Sequence, residues 1–145
     1  MDIEAARDYL NQVKEQDDII TLKQKRLDDL NAQATYIRSP DYSADRVRTS
    51  PSGDGILQIV AMIIDLQAEI NADIDKFVDL KANIMSKLNL LRDREAARVL
   101  YKKYFEYKPT RQIAEELHCS KRKVQRIHRF ALAEFSKLNK MQNTA

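Results

Sequence analysis

Two Gly, three Pro, no Trp and one Cys among 145 residues leave little room for several common kinds of protein. An all-β fold needs many more turn residues, so the abundance of Leu, Ile, Ala, Lys, Arg, Glu, Asp and Gln predicts an all-α chain. A single cysteine, Cys119, excludes an internal disulfide and fits a reducing cytoplasm. Aromatics make up only 7% of the residues, so the core must be mostly aliphatic. No uncharged apolar run approaches 18 residues, which predicts no membrane span. The start, Met-Asp-Ile-Glu, has no basic stretch before an apolar run, so a signal peptide is not expected.

The charge that is present is unevenly spread. Residues 1–91 carry 11 Lys and Arg against 16 Asp and Glu, a net of −5, and residues 92–145 carry 14 against 6, a net of +8. A basic half of this kind points to a polyanion as partner. A plain helical protein with a basic tail is the simpler alternative.

Apolar residues Ile3, Ala6, Leu10, Val13, Ile20, Leu27, Leu30 and Ala34 recur at steps of mostly three, four or seven, which predicts a helix to about Tyr36. Asp17, Gln24 and Asn31 fall on the same stripe. Both Gly and two of the three Pro then cluster between Ser39 and Gly55, a long connection that breaks the pattern. From Asp54 or Gly55 to Leu91 the positions Ile56, Val60, Ile63, Gln67, Ile70, Ile74, Phe77, Lys81, Ile84, Leu88 and Leu91 repeat by fours and threes. That is a coiled-coil-like seam. The expectation is a long antiparallel helical hairpin over 1–91 with a loop at 38–55. Its seam either only packs the hairpin or also makes a homodimer, with Gln67 and Lys81 setting register.

Shorter helices are expected at about 93–106, 110–117 and 121–138, giving a second domain over 92–140 and a frayed, disordered tail at 141–145. The join at Arg92-Asp93 has no Gly or Pro, so the long helix either bends there or continues.

The second domain reads as a helix-turn-helix. Ile113 and Leu117 supply inward apolar residues, Ala114 a small contact, Cys119 a buried hydrophobe in the turn, and Val124, Ile127 and Ala131 the inner face of the second helix. Ser120 suits the N-cap of that helix, and Thr110 the N-cap of the one before it. The usual Gly of the turn is replaced by His118, which must adopt a left-handed backbone at some cost. The outward face is then Lys121, Arg122, Gln125, Arg126 and Arg129, flanked by Lys123 and His128. Arg pairs with guanine and Gln with adenine in the major groove, so Arg122, Gln125 and Arg126 are the candidate base readers. Lys121, Lys123, Arg129 and Arg111 are candidate phosphate contacts, beside Thr110 and Ser120 at the helix starts. A merely solvated basic face is the alternative.

The run Leu100-Tyr-Lys-Lys-Tyr-Phe105, Ile113-Ala-Glu-Glu-Leu117 and Ser120-Lys-Arg-Lys-Val124 resembles region 4 of sigma-70-type factors, with Lys103 in place of the usual Arg. With the long helices and the loop Ser39-Pro-Asp-Tyr-Ser-Ala-Asp-Arg-Val, the whole chain is similar to phage and prophage late-transcription regulators of the ArpU/RinA type from Gram-positive bacteria. The resemblance implies a sigma region-4-like domain that binds duplex DNA sequence-specifically in a bacterial cytoplasm, with RNA polymerase as a further partner. Two other functions stay open: a small DNA-packaging subunit like the small subunit of a terminase, or a polymerase-binding module that does not touch DNA.

No cofactor is expected. His118, Cys119 and His128 lack the spacing and the fourth ligand of a zinc site. Pairs such as Asp17-Asp18, Asp28-Asp29 and Glu115-Glu116 point apart on a helix. There is no Gly-rich phosphate loop and no nucleophile set, so catalysis is not expected.

Overall fold

A computed structural model of the chain describes residues 2–38 and 52–143, and all of its regular structure is helical. Five helices follow one another: α1 (Ile3–Arg38), α2 (Ser52–Leu90), α3 (Arg94–Tyr104), α4 (Thr110–Glu116) and α5 (Lys121–Asn143). At 1.5 Å per residue, α1 and α2 are each about 55 Å long. Most of the Ser39–Gly55 loop lies outside the described residues. Its last residues are helical, because α2 starts at Ser52, ahead of the expected Asp54 or Gly55. At the other end α5 runs to Asn143, beyond the expected stop at Leu138 and into the segment expected to fray.

The chain divides into two compact units, residues 1–17 with 77–145, and residues 18–76. In the first unit one core joins all five helices. Ala6, Leu10 and Val13 of α1 pack with Ile84 and Leu88 of α2, Val99 and Leu100 of α3, Ile113 of α4, and Val124, Leu132 and Phe135 of α5. The apolar spacing of α1 therefore serves this core directly: Ala6, Leu10 and Val13 are almost completely buried. Half-buried lysines line the same core. Lys87 Nζ lies over the rings of Tyr9 and Phe135 at 4.8 and 5.9 Å. Lys81 Nζ lies 5.0 Å over Phe77 and 5.4 Å over Phe105, so this residue of the expected seam makes cation–π contacts within its own chain.

The second unit has a small core of Leu27, Leu30, Leu66 and Ile70, with Ile63 against it. Lys23 Nζ on α1 reaches Asp73 at 2.7 Å and Glu69 at 3.4 Å on α2. The inward face of α2 keeps Ile63, Ile70, Phe77, Ile84 and Leu88 of the expected seam and departs from it at two positions. Leu66 is buried where Gln67 was expected, and Ile74 is exposed beside the half-buried Asp73. Between Gly55 and Leu90, α2 is long and apolar enough to cross a membrane by length and composition, which the absence of an uncharged run had not suggested. Asp73 and Glu69, paired with Lys23, mark a helix face built to meet another helix.

The join after α2 is a true break. Asp93 adopts an extended backbone as the N-cap of α3, and its Oδ1 accepts from the N–H groups of Glu95 (2.9 Å) and Ala96 (3.2 Å). Leu91 is buried in the core just before it. A capping carboxylate and a buried leucine end one helix and start the next without Gly or Pro.

Candidate nucleic-acid interface

The basic end of the chain is positioned by the turn between α4 and α5. Its backbone closes in two hydrogen bonds: Cys119 N–H donates to the Ala114 carbonyl at 3.0 Å, and His118 N–H to that of Glu115 at 3.3 Å. This is the Schellman pattern that ends a helix on a left-handed residue, a position usually held by Gly. His118 holds it here, with φ of 55°. Leu117 and Cys119 tuck against the core from this turn.

Ser120 then opens α5. Its Oγ accepts from Lys123 N–H at 3.1 Å, and its carbonyl from Val124 N–H at 3.1 Å, so the expected cap is formed. Thr110 differs. The N-cap of α4 is Pro109, without a side-chain cap, and Thr110 is the first helical residue. Proline already has the extended backbone that a helix entry needs, and its carbonyl accepts from Ile113 N–H at 3.1 Å.

With Val124, Ile127, Ala131, Leu132 and Phe135 buried, the opposite face of α5 carries Lys121, Arg122, Gln125, Arg126 and Arg129, all exposed. Steps of three and four bring Arg122, Gln125, Arg126 and Arg129 onto one stripe. Arg111 is exposed on α4, 3.7 Å from Glu115. Lys123 stands apart from the stripe, 3.8 Å from Glu95 of α3.

Other charges of the basic half are already used. Glu116 Oε1 takes Lys108 at 2.8 Å and Lys102 at 2.9 Å, and Lys108 also lies 3.3 Å from Glu106. Hydrogen bonds from Lys108 and Lys102 hold the Glu116 carboxyl below its usual range. These bonds tie α3 and the residues after it to α4, and so fix where α5 starts. On α5, Lys121, Arg122, Arg126 and Arg129 have no such carboxylate partner among the described residues.

His128 was expected to flank the outward face, yet it turns inward. Its Nε2 lies 2.7 Å from Tyr104 Oη, and the two rings are 5.6 Å apart. Burial, with Lys103 and Arg7 nearby, lowers the imidazole pKa to about 4. The ring is therefore neutral at pH 7, and its Nε2 shares one proton with the Tyr104 hydroxyl. The signal was in the spacing, because His128 lies between Val124 and Ala131 on the buried stripe.

Tyr107 is a second residue that the pattern did not single out. It has φ of 57°, and its hydroxyl donates to Asp17 Oδ2 of α1 at 2.7 Å. Lys14 Nζ lies 5.6 Å over its ring. The link between α3 and α4 is thus anchored on the start of the chain. Among the described residues no three His, Cys, Asp or Glu side chains converge as metal ligands would.

No protein-family model, curated protein or solved structure matches the chain.

Proposed function

We propose that this chain is a non-enzymatic, sequence-specific DNA-binding transcription regulator. In this reading α4, the turn 117–120 and α5 form a helix-turn-helix, and the start of α5 enters the major groove of duplex DNA. Arg122, Gln125 and Arg126 read base edges. Lys121, Lys123, Arg129 and Arg111, with Thr110 and Ser120 at the helix starts, meet the phosphates. The observation that carries the reading is the exposed stripe Arg122, Gln125, Arg126 and Arg129, placed just past a tight, capped turn while nearby lysines are spent on Glu116.

The long helices α1 and α2 act as an antiparallel hairpin that assembles two copies. Its support is the packing of Leu27 and Leu30 with Leu66 and Ile70, which leaves Leu57 and Ile64 of α2 exposed. Similarity to sigma region 4 and to ArpU/RinA-type regulators supports a phage or prophage setting in a bacterial cytoplasm, with RNA polymerase as a second partner.

Selection of bound sequences from a random duplex pool tests this reading. Enrichment of one motif, with affinity falling steeply as salt rises, is the expected result. A palindrome would show that two copies bind together. No enrichment, with no duplex bound at low salt, would overturn it.

A further inference from the structure

The outer face of α3 takes no part in the proposed DNA reading, and it borders an open groove of about 520 Å³. Met85 and Leu88 of α2 and Ala97 and Tyr101 of α3 give the groove an apolar floor. Arg94 and Arg98 stand along one side of it, four residues apart on α3 and both exposed. Arg94 Nη2 donates only to the Asn89 carbonyl, at 3.2 Å. Arg98 has no polar partner among the described residues. Lys102, at the far end, is different: its ammonium is taken up by Glu116 and Glu106.

We propose that this groove is a docking site for an acidic amphipathic helix of a partner protein. Three features fix the chemistry. An apolar cavity of about 150 Å³ holds one benzene-sized group, so this open groove has room for apolar side chains of a partner. A helix presents apolar anchors from one face at i, i+4 and i+7. Carboxylates four residues apart on that helix are spaced about 6 Å, as Arg94 and Arg98 are on theirs, and guanidinium groups bind carboxylates in paired, directional bonds. A phosphate backbone would use the two arginines but has nothing to place against Met85, Leu88 and the Tyr101 ring. The face also lies away from the side of α3 that packs on α5, where Ala96, Val99, Leu100 and Tyr104 are buried. The site does not depend on whether α5 reads DNA.

The test uses the full chain, isotopically labelled for NMR, and two synthetic helices of about 20 residues. Both carry Leu at i, i+4 and i+7; one has Glu beside the anchors, and the other has Lys there. The Glu peptide is expected to shift the resonances of Met85, Leu88, Ala97 and Tyr101, more weakly at high salt, and the Lys peptide is expected to leave them in place. The double variant Arg94→Glu with Arg98→Glu should weaken the Glu peptide about tenfold and leave duplex DNA affinity unchanged. Absence of shifts at the groove, or equal binding of the two peptides to the unaltered chain, would overturn the proposal. A loss of duplex affinity in the double variant would make the face a nucleic-acid contact instead. Groove shifts that grow with protein concentration alone would assign the groove to a second copy.

Discussion

The hydroxyl of Tyr104 on α3 and Nε2 of His128 on α5 share a hydrogen bond of 2.7 Å, and this bond ties the outward helix to the helix that supports it. Burial keeps the imidazole uncharged, with a pKa near 4 in place of 6.5. Above pH 6.5 the ring is neutral both folded and unfolded, so it adds no pH dependence. Below that, the unfolded chain takes up a proton that the folded chain refuses, and stability falls as pH drops from about 6.5 toward 4. Discounted for the part of the ring that solvent screens, the loss is on the order of 2 kcal/mol. Urea denaturation at a series of pH values measures it, and a His128→Gln variant should flatten that part of the profile. Tyr104→Phe should cost about 1–2 kcal/mol at pH 7 by leaving the imidazole nitrogen without its hydrogen-bond partner.

His118 occupies the left-handed position of the turn into α5, where a Cβ is strained. Replacing it by Gly should relieve about 1 kcal/mol of strain, part of which is lost to the greater freedom of the unfolded chain. The expected net effect of His118→Gly is a stabilisation of about 0.5–1 kcal/mol. His118→Val should destabilise, since a β-branched residue suits this backbone least. Thermal melts of the two variants should move in opposite directions.

Leu10 lies far from the basic end in sequence but inside its core, where it is 1% exposed. Leu10→Ala should cost about 2–5 kcal/mol by leaving a cavity. Leu22, on the same helix, is 65% exposed, and Leu22→Ala should stay within about 0.5 kcal/mol. Equal, small effects from both would show that the first 17 residues do not stabilise the basic end.

Much of the architecture could be read from spacing alone. Ala6, Leu10, Val13, Leu27, Leu30 and Ala34 were placed on one face of α1 by their period, and all are buried. Ile113, Ala114, Val124, Ile127 and Ala131 were placed inward by the same reasoning, and they are buried too. Spacing failed at two places on α2, where Leu66 and Asp73 take the inner face in place of Gln67 and Ile74. It also failed where a partner distant in sequence decides the geometry. The left-handed backbone of Tyr107 accompanies a bond to Asp17, 90 residues away, whereas the inward place of His128 between Val124 and Ala131 was legible in the spacing. The break before α3 was left open because it depends on the capping carboxylate of Asp93, a local choice between two backbones that composition does not reveal. Lys121, Arg122, Gln125, Arg126 and Arg129 were placed outward by the pattern and are exposed, while Thr110 moves from N-cap to first helical residue.

The central claim is that the exposed stripe of α5 reads duplex DNA. The direct measurement is duplex affinity of the Arg122→Ala and Arg126→Ala variants, on a selected sequence and on a random one. Each substitution should cost about 1–3 kcal/mol on the selected duplex and less on the random one. Unchanged affinity for both duplexes, in variants that remain folded, would contradict the account.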